Sequence, residues 1–184
     1  KFNKKLVLVT GSTKGIGFDV ALRFLNYGAK VIITGRKLSR KNKDKVKGKD
    51  YVFLKANFKN TVETKKILNQ LKNKKLFPDI IVNNVGGNEN LKNPLCKIKD
   101  WQDVININLL TAIEINNFFI PYMKKKKWGR ICHISSISAL ENQGHPAYCA
   151  VKAAINAYVK SVGRYLSKIL KNFGVHVLIN DNKK

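Results

Sequence analysis

Short apolar segments rich in Val and Ile alternate along this chain with longer segments of helical periodicity. Alternation of this kind is typical of βαβ units, in which helices cover both faces of a parallel sheet. The sequence therefore predicts an α/β fold with a doubly wound parallel sheet. The six strands in view are Leu6–Thr10, Lys30–Thr34, Tyr51–Lys55, Asp79–Asn83, Gly129–Ser135 and Val175–Ile179.

Four helical segments fall between these strands: Gly17–Tyr27, Thr61–Leu71, Trp101–Ile120 and Pro146–Leu170. Gly28 follows the first, at the position where a glycine commonly ends a helix. Thr61 is expected to be the N-cap of the second, because its hydroxyl can accept a hydrogen bond from a free backbone N–H. Pro121 and the lysines after it are expected to end the third, since proline disrupts helical hydrogen bonding.

The chain of 184 residues is 44% hydrophobic, enough for one core, and we expect a single domain over residues 1–184. Its formal net charge of +25 would favour an anionic partner such as nucleic acid. The lysines are nevertheless spread over the whole chain. The basic runs Arg40–Lys43 and Lys124–Lys127 are expected to be exposed connections, and they lack the interleaved aromatic residues of a base-stacking surface. We therefore expect no nucleic-acid partner.

Cysteine usage and hydropathy favour a cytoplasmic location. Cys96, Cys132 and Cys149 show neither the paired spacing of metal ligands nor a disulfide framework, so we expect free thiols and no metal site. No apolar run of about 18 residues predicts a membrane span, and residues 1–10 do not have the pattern of a leader. The chain begins without Met, which indicates that it is part of a longer translation product.

A glycine-rich turn follows the first predicted strand and precedes the first predicted helix. In this context Gly11 permits a tight turn, Gly15 lets a pyrophosphate approach the backbone, and Gly17 lets the helix pack on the strand. The helix N-terminus adds unpaired N–H groups that favour an anion. The expected nucleotide-binding residues here are Gly11, Ser12, Thr13, Lys14, Gly15, Ile16 and Gly17. A plain strand-to-helix turn is the alternative, although its three glycines would cost backbone entropy.

The end of the second predicted strand bears on the choice of cofactor. A carboxylate at this place would hold the ribose 2′-hydroxyl of NAD, but the chain has Gly35, Arg36 and Lys37 there. Arg36 can offer a forked donor to a 2′-phosphate, and Lys14 can add a second positive charge. NADP(H) is therefore favoured over NAD(H), with ordinary surface cations as the alternative interpretation.

Tyr148 and Lys152 are four residues apart in a predicted helix, so their side chains share one face. An ammonium beside a phenol favours the phenolate and makes a weak acid into a usable proton carrier. Ser136, which follows the fifth predicted strand, can donate a hydrogen bond to a substrate oxygen. Its neighbour Ser135 is the other candidate, and strand periodicity favours Ser136 as the residue that faces the cofactor.

Asn83–Gly86, after the fourth predicted strand, and Asn108, in the third helix, complete the pattern. Together with the glycine turn and the Ser-Tyr-Lys set, they resemble the short-chain dehydrogenase/reductase family over nearly the whole chain. The resemblance implies a Rossmann-like fold, an NAD(P) cofactor and interconversion of an alcohol and a carbonyl. It implies the catalytic residues Asn108, Ser136, Tyr148 and Lys152, and the further cofactor contacts Asn57, Asn84, Gly86, Tyr148 and Lys152.

The resemblance also implies roles and partners. Tyr148 would donate the proton, Lys152 would hold the nicotinamide ribose, and Asn108 would anchor a water in the proton relay. The helices that carry Asn108 and Tyr148 would pair in a homodimer or homotetramer. The general form is similar to 3-oxoacyl-[acyl carrier protein] reductases, which implies a small carbonyl or alcohol substrate, including an acyl-carrier-bound one.

The chain departs from the family pattern at three places. Val85 stands where the family has Ala, and Asn57 stands where it usually has an Asp that faces adenine. After Val175–Ile179 the chain ends in Asn180–Lys184, where the family continues with a substrate-covering segment. We therefore expect a domain that is incomplete at its C-terminus.

These observations favour an NADPH-dependent oxidoreductase that interconverts a ketone and a secondary alcohol, with Tyr148 as the proton donor. A non-catalytic NADP-binding or assembly protein is the alternative, because the substrate-covering segment is missing. A nucleic-acid binder driven by net charge is a third hypothesis. His133, in an apolar strand, and His145, in a loop, are expected to take no part in the chemistry.

Overall fold

Six parallel strands form one sheet in the computed structural model, which describes residues 2–168 and 172–180. They are β1 Leu6–Val9, β2 Lys30–Gly35, β3 Tyr51–Lys55, β4 Ile80–Asn83, β5 Gly129–Ile134 and β6 Phe173–Leu178. The order across the sheet is β3-β2-β1-β4-β5-β6, a doubly wound arrangement with its reversal between β1 and β4. Every predicted strand is confirmed, with ends that differ by two residues at most.

Helices cover both faces of the sheet. They are α1 Gly15–Asn26, α2 Arg40–Lys45, α3 Thr61–Asn73, α4 Ile98–Ile105, α5 Thr111–Lys126, α6 Ser138–Glu141 and α7 Pro146–Ser167. Side chains that alternate along β1 explain the two layers. Val7 and Val9 pack in one core cluster with the apolar face of α1, while Leu8 packs in a second cluster with α3 and α5.

Asn60, not Thr61, is the N-cap of α3. Its Oδ1 accepts a hydrogen bond from the backbone N–H of Glu63 at 2.9 Å. Asn60 has the extended backbone of an N-cap, with φ −149° and ψ 169°, which leaves Thr61 as the first helical residue. The prediction of Thr61 was wrong because both neighbours can cap a helix, and the sequence does not show which of them leaves it.

Pro121 lies inside α5 and does not end it, contrary to the prediction. The helix continues because its inward face stays packed on both sides of the proline, where Phe119 and Met123 are buried in the core. Pro121 itself is on the exposed face. The helix ends before Lys127, which has a left-handed backbone with φ 54°.

The two basic runs belong to helices, which corrects their assignment as connections. Arg40–Lys43 begins α2, and Lys124–Lys126 forms the last turn of α5. Lysines suit that last turn, because cations interact favourably with the negative end of the helix dipole. Most of these basic residues are exposed.

A π-helical segment, Asn106–Leu110, joins α4 to α5, so that Ile98–Lys126 is one continuous helical stretch. By length and composition alone it meets the minimum for a membrane span, with a mean hydropathy of 1.2, which the sequence analysis did not anticipate. Apolar residues of its inward face, including Val104, Ile115 and Phe119, are packed in the core. We therefore interpret it as a core helix.

The C-terminal part of the sheet is the less buried part. α7 ends at Ser167, and the predicted end at Leu170 lies outside the described residues, as do residues 181–184. β6 pairs in parallel with β5 along its whole length, from Phe173 to Leu178. Leu178 is 55% exposed, so this edge strand is covered much less than β1 or β4.

Candidate active site

The glycine turn between β1 and α1 is fixed by hydroxyl groups that point into the protein. Ser12 is buried, and its Oγ donates to the Val9 carbonyl at 2.6 Å and accepts from the Thr34 N–H at 2.9 Å. The Thr34 hydroxyl donates to the same carbonyl at 3.1 Å and accepts from the Gly11 N–H at 3.2 Å. Ser12 and Thr34 therefore hold the shape of the turn from beneath.

Asn84 ties the same turn to the end of β4. Its Nδ2 donates to the carbonyls of Thr10 and Gly11 at 2.9 and 3.1 Å. The Thr10 hydroxyl accepts from the backbone N–H groups of Asn84 and Val85 at 2.9 and 3.0 Å. A β-carbon on Gly17 would meet the Asn84 amide and would lie 2.6 Å from the Gly11 carbonyl oxygen. Glycine at position 17 is thus what allows helix, turn and β4 to come together.

Gly15 opens the N-terminus of α1 to solvent. Its backbone is left-handed, with φ 56°, and a β-carbon there would have no heavy atom within 4 Å. Lys14, Gly15 and Ile16 are all exposed. Because the first N–H groups of a helix have no partner within it, this opening suits a phosphate.

A cleft of about 540 Å³ lies beside the turn, at the carboxyl ends of β1 to β4. Doubly wound sheets bind their ligands at this edge. Among the predicted residues, those in its walls are Gly11, Thr13, Lys14, Arg36, Asn57, Asn84 and Gly86. The others in the turn are not cleft walls: Ser12, Gly15, Ile16 and Gly17.

Among the described residues, three cations and one carboxylate line this cleft: Lys14, Arg36, Lys59 and Glu89. Lys59 was missed by the sequence analysis. Its only signal is its position two residues after Asn57, where the chain leaves β3, and one lysine carries little information in so basic a chain. The excess of cations favours a phosphate-bearing ligand.

Gly86 joins the cleft to the predicted catalytic residues. A β-carbon on Gly86 would contact the Asn108 Oδ1 and would lie 3.2 Å from the Lys152 Nζ. Asn108 comes from the π-helical segment and Lys152 from α7. Two residues far apart in the sequence therefore meet at one wall of the cleft.

Asn108 is buried, and its amide holds the backbone that follows β4. Its Oδ1 accepts from the Gly87 N–H at 3.1 Å, and its Nδ2 donates to the carbonyls of Gly87 and Val104 at 2.7 and 2.9 Å. The π-helical segment places Asn108 at this position, and such segments are frequent at functional sites. Helical periodicity in the sequence did not predict the π-helical segment.

Lys152 is almost fully buried, with 3% of its surface exposed, and its Nζ donates to the Ile134 carbonyl at 2.9 Å. Burial lowers the pKa of Lys152 to about 8, because the charged form loses its hydration. The Nζ lies 5.4 Å from the centroid of the Tyr148 ring. The two side chains thus share one face of α7, as their spacing predicts.

Burial also raises the pKa of the Tyr148 phenol, a hydrogen bond with Ser136 opposes that shift, and Cys149 adds to it. We expected the Lys152 ammonium to lower this pKa. In this structure the loss of hydration is the largest effect, so the pKa of the phenol is raised and not lowered. The phenol is therefore held in its protonated form.

Ser136 and Ser135 have different surroundings. The Ser136 Oγ donates to the Ser138 Oγ and accepts from the Ser138 N–H, both at 3.2 Å, and its interaction with the Tyr148 phenol lowers the pKa of that phenol. The Ser135 Oγ donates to the backbone carbonyl of Lys152 at 3.4 Å and is buried. Of the two hydroxyls, the one on Ser136 is thus the one beside the phenol.

The family model described as short chain dehydrogenase matches residues 5–177. The chain belongs to the short-chain dehydrogenase family. Among similar proteins, the 3-oxoacyl-[acyl-carrier-protein] reductase FabG of Haemophilus influenzae is 36% identical over 169 residues, which cover 87% of this chain and 67% of that protein. The FabG reductase of Aquifex aeolicus is 31% identical and covers 91% of this chain and 70% of that protein.

Solved structures are similar to this short-chain dehydrogenase over its length. Cj0485 dehydrogenase is 26% identical, with a TM-score of 0.87 over 98% of this chain and 70% of that one. An oxidoreductase of the same family from Burkholderia thailandensis, 22% identical with a TM-score of 0.84, has the same fold over 97% of this chain and 68% of that one. As a member of this family, the chain is an NAD(P)-dependent oxidoreductase.

Near Lys152, the dehydrogenase has a polar cluster of the buried Asn83, Asn116 and His133 and the partly buried Tyr158. The Asn116 Nδ2 lies 3.0 Å from the His133 Nε2 and 3.1 Å from the Tyr158 hydroxyl, and its Oδ1 accepts from the Asn83 Nδ2 at 2.9 Å. Burial, and then the charge of Lys152, lower the pKa of His133 to about 4. His133 is therefore neutral near pH 7 and tied into the core.

His145 lies just before α7, outside the helix, as the sequence predicted. It is the N-cap of α7, and its side chain accepts from the Ala147 N–H. The other ring nitrogen contacts the segment that follows β4. Neither contact could be predicted from the sequence: histidine is not among the preferred N-caps, and Asn93 is 52 positions away.

Proposed function

We propose that this dehydrogenase reduces the keto group of a 3-oxoacyl thioester with NADPH, and that Tyr148 donates the proton. The observation that carries the proposal lies at Gly86, a wall of the cleft beside the glycine turn, where an added β-carbon would contact Asn108 and lie 3.2 Å from the Lys152 Nζ. The same Nζ lies 5.4 Å from the centroid of the Tyr148 ring, and the Tyr148 phenol interacts with Ser136. Similar proteins named 3-oxoacyl-[acyl-carrier-protein] reductase supply the substrate class. A 3-oxoacyl chain bound to an acidic carrier would suit a protein of net charge +25.

The residues of the cleft fit a dinucleotide with a 2′-phosphate. The open, left-handed Gly15 and the free N–H groups of α1 suit a pyrophosphate. Arg36 and Lys59 line the cleft at the ends of β2 and β3, where a carboxylate would be needed for NAD. Among the described residues, the only carboxylate in the cleft walls is Glu89, which comes from the segment after β4. Arg36 and Lys59 would therefore bind the 2′-phosphate, and the bound NADPH would supply the hydride.

Tyr148 and Ser136 would act on the substrate oxygen, and Lys152 would act on Tyr148. Tyr148 gives its proton to this oxygen as the carbonyl carbon receives hydride, and its raised pKa keeps that proton in place at neutral pH. Ser136 donates a hydrogen bond to the same oxygen and stabilises its developing negative charge. The Lys152 ammonium, 5.4 Å from the ring centroid, stabilises the phenolate that remains.

Asn108 completes the proposed proton path. A carbonyl oxygen can accept two hydrogen bonds, and the Asn108 Oδ1 accepts one from Gly87. We assign the second to a water that passes a proton towards Lys152. The position of this oxygen beside Gly86 and close to the Lys152 Nζ supports the assignment.

Cofactor binding tests the first half of the proposal. NADPH is expected to bind about tenfold or more tightly than NADH, the effect of a charge-assisted contact to the 2′-phosphate. Arg36→Ala should remove most of this difference, as measured by fluorescence titration. The matched control is Lys37→Ala, because Lys37 is an exposed neighbour that is not a cleft wall. Equal affinity for both cofactors in the unmodified chain would overturn the assignment of NADPH.

Turnover of acetoacetyl-coenzyme A, a soluble 3-oxoacyl thioester, tests the second half. We expect NADPH oxidation that depends on the thioester, and a fall of about a thousandfold in kcat for Tyr148→Phe with the NADPH Kd unchanged. NADPH binding without turnover in either protein would instead favour a non-catalytic NADP-binding protein.

Assembly and location follow from the same proposal. We propose a homodimer or homotetramer, and native mass spectrometry of the chain would measure its subunit number. A reaction in the cytoplasm suits the cysteines, because Cys96, Cys132 and Cys149 are all free.

A further inference from the structure

The segment Asn88–Lys97, which follows β4, has little packing of its own. Eight of its ten residues are exposed. Glu89 and Asn90 have left-handed backbones, with φ 53° and 61°, a conformation that costs energy for residues other than glycine. A segment of this kind keeps one conformation only where the surrounding structure holds it.

Two attachments hold the beginning of the segment. Asn108 binds both the N–H and the carbonyl of Gly87, just before it. Leu91 packs against the apolar cluster to which Ala147 of α7 belongs. Beyond Leu91 the segment is again exposed as far as Cys96.

The third attachment is the His145 imidazole. Its Nε2 lies 2.8 Å from the carbonyl oxygen of Asn93, and its Nδ1 lies 3.3 Å from the backbone nitrogen of Ala147. A carbonyl only accepts and an N–H only donates, so the two contacts require a neutral ring with its hydrogen on Nε2. One side chain therefore caps α7 and ties the segment to it.

This bridge connects the two sides of the active site. Gly86 and Glu89, after β4, are both walls of the cleft, and Gly86 lies next to the Lys152 Nζ. The chain is fixed again at Asn93, which contacts His145, three residues before Tyr148. We propose that His145 is a positioning residue, which clamps Asn88–Lys97 to α7 as a wall of the substrate site. Its effect on substrate rests on the proposed function, whereas the clamp itself does not.

Two substitutions separate the functions of the two ring nitrogens. Asn at position 145 keeps an acceptor near the place of Nδ1 and is a good N-cap, but it is too short to reach Asn93. Gln extends to the place of Nε2 and can donate to Asn93, but it is not among the preferred N-caps. His145→Asn thus removes the tether alone, and His145→Gln removes the cap alone.

Amide hydrogen exchange tests the clamp without reference to catalysis. We expect His145→Asn to speed exchange in residues 88–97 about fivefold, the effect of one lost hydrogen bond, with the start of α7 unchanged. His145→Gln should leave residues 88–97 protected and speed exchange at Ala147 and Tyr148. His176→Asn, at an exposed histidine of β6, is the control and should change neither region. Unchanged exchange of residues 88–97 in His145→Asn, or an equal rise over the whole chain, would overturn the clamp.

Steady-state kinetics with acetoacetyl-coenzyme A and NADPH test its consequence. His145→Asn should raise the KM for the thioester about fivefold with kcat within about twofold and the NADPH Kd unchanged. His145→Gln should keep a KM near that of the unmodified chain. An equal loss of kcat in both variants would show a role in helix stability only and would overturn the positioning role. If the unmodified chain does not turn over, the proposed function fails, while hydrogen exchange still decides on the clamp.

Discussion

The two ends of the cleft are built from different kinds of contact. At the nucleotide end, neutral side chains of Ser12, Thr34 and Asn84 bind backbone groups of the glycine turn. At the catalytic end, the buried Lys152 lies beside the partly buried Tyr148, and loss of hydration lowers the pKa of Lys152 to about 8 while it raises that of Tyr148. The first arrangement stabilises the fold. The second costs stability and provides reactive groups.

The two ends also differ in their place in the sheet. The glycine turn follows β1, which pairs with β4 at the centre of the sheet, where the core side chains Val9 and Ile81 are fully buried. The catalytic residues come from the end of β5 and from α7, next to the edge strand β6, where Leu178 and Ile179 are 55% and 45% exposed. The reactive groups thus lie beside the part of the fold that is covered least, which predicts that changes at the two ends have different effects.

Replacing the buried amine should separate activity from stability most strongly. Lys152→Met removes the charge and keeps the length of the side chain. We expect a fall of about a thousandfold in kcat. The lowering of the Lys152 pKa from 10.5 to about 8 corresponds to about 3 kcal/mol of unfavourable burial below pH 8. Loss of the hydrogen bond to Ile134 offsets about 1–2 kcal/mol, so the variant should be more stable by about 1 kcal/mol in urea unfolding at pH 7.

The sign of this effect depends on pH. The unfolded chain binds the Lys152 proton more tightly than the folded one, so the cost is present below pH 8 and disappears as the pH rises from about 8 to 10.5. The stability advantage of Lys152→Met should disappear over the same range. Lys160→Met, at an exposed lysine of the same helix, is the control and should not change stability measurably. A Lys152→Met variant that is less stable than the original chain at pH 7 would show that burial of Lys152 does not cost stability, and would contradict the difference drawn between the two ends of the cleft.

Acid should weaken the protein through His133, near the catalytic end. Its pKa is about 4 in the fold, against an ordinary value of 6.5, so the unfolded state binds the proton more tightly. Above pH 6.5 His133 is neutral in both states and does not lower the free energy of unfolding. As the pH falls to about 4, protonation of His133 in the unfolded state lowers the free energy of unfolding by about 3 kcal/mol. Urea unfolding at pH 7.5 and pH 4 should show a smaller acid loss for His133→Gln, which cannot take up a proton. The same loss in both proteins would assign acid sensitivity to other groups.

The same contrast explains what could be predicted from the sequence. At the nucleotide end, the glycine spacing predicted a tight turn at Gly11 and an open backbone at Gly15, and both residues have left-handed backbones in the structure. The spacing of Tyr148 and Lys152 likewise placed both on one helix face. Lys59 could not be distinguished from other lysines, because only its position in the cleft separates it from them.

What could not be predicted depends on contacts between distant parts of the chain. The contact of His145 with Asn93 joins residues 52 positions apart. The raised pKa of Tyr148 depends on how completely the folded protein covers it. The apolar residues of the π-helical segment around Asn108 follow nearly the same periodicity as those of an α-helix. The sequence pattern therefore does not distinguish the two. The pKa of Tyr148 and the contacts of the His145 cap therefore depend on the tertiary structure.

Two helical glycines test whether the nucleotide end is tightly packed. Gly17→Ala would place a β-carbon 2.6 Å from the Gly11 carbonyl oxygen and against the Asn84 amide, so we expect a loss of about 2 kcal/mol in urea unfolding and weaker NADPH binding. At Gly163 in α7 the nearest atom to an added β-carbon is the Val175 carbonyl oxygen, at 3.8 Å. Gly163→Ala should therefore stabilise the protein, by about 0.5–1 kcal/mol. Equal changes in the free energy of unfolding at the two positions would mean that the glycine turn shifts to make room for the added β-carbon. The nucleotide end would then not be the more tightly packed one.

The smallest expected effect concerns whether the loss of the Lys152 proton or of the Tyr148 proton limits the reaction at high pH. Reduction needs a protonated Tyr148 and, in the proposed function, a charged Lys152. Because the Lys152 pKa is about 8 and that of Tyr148 is raised above its ordinary value of 10, Lys152 loses its proton first. The kcat/KM for acetoacetyl-coenzyme A should therefore fall about tenfold for each pH unit above 8. Lys152→Arg keeps its charge, so any activity it retains should decline only at higher pH. A decline that begins only near the Tyr148 pKa in the original chain would show that the charge of Lys152 is not required, and the catalytic end would then depend on one buried group.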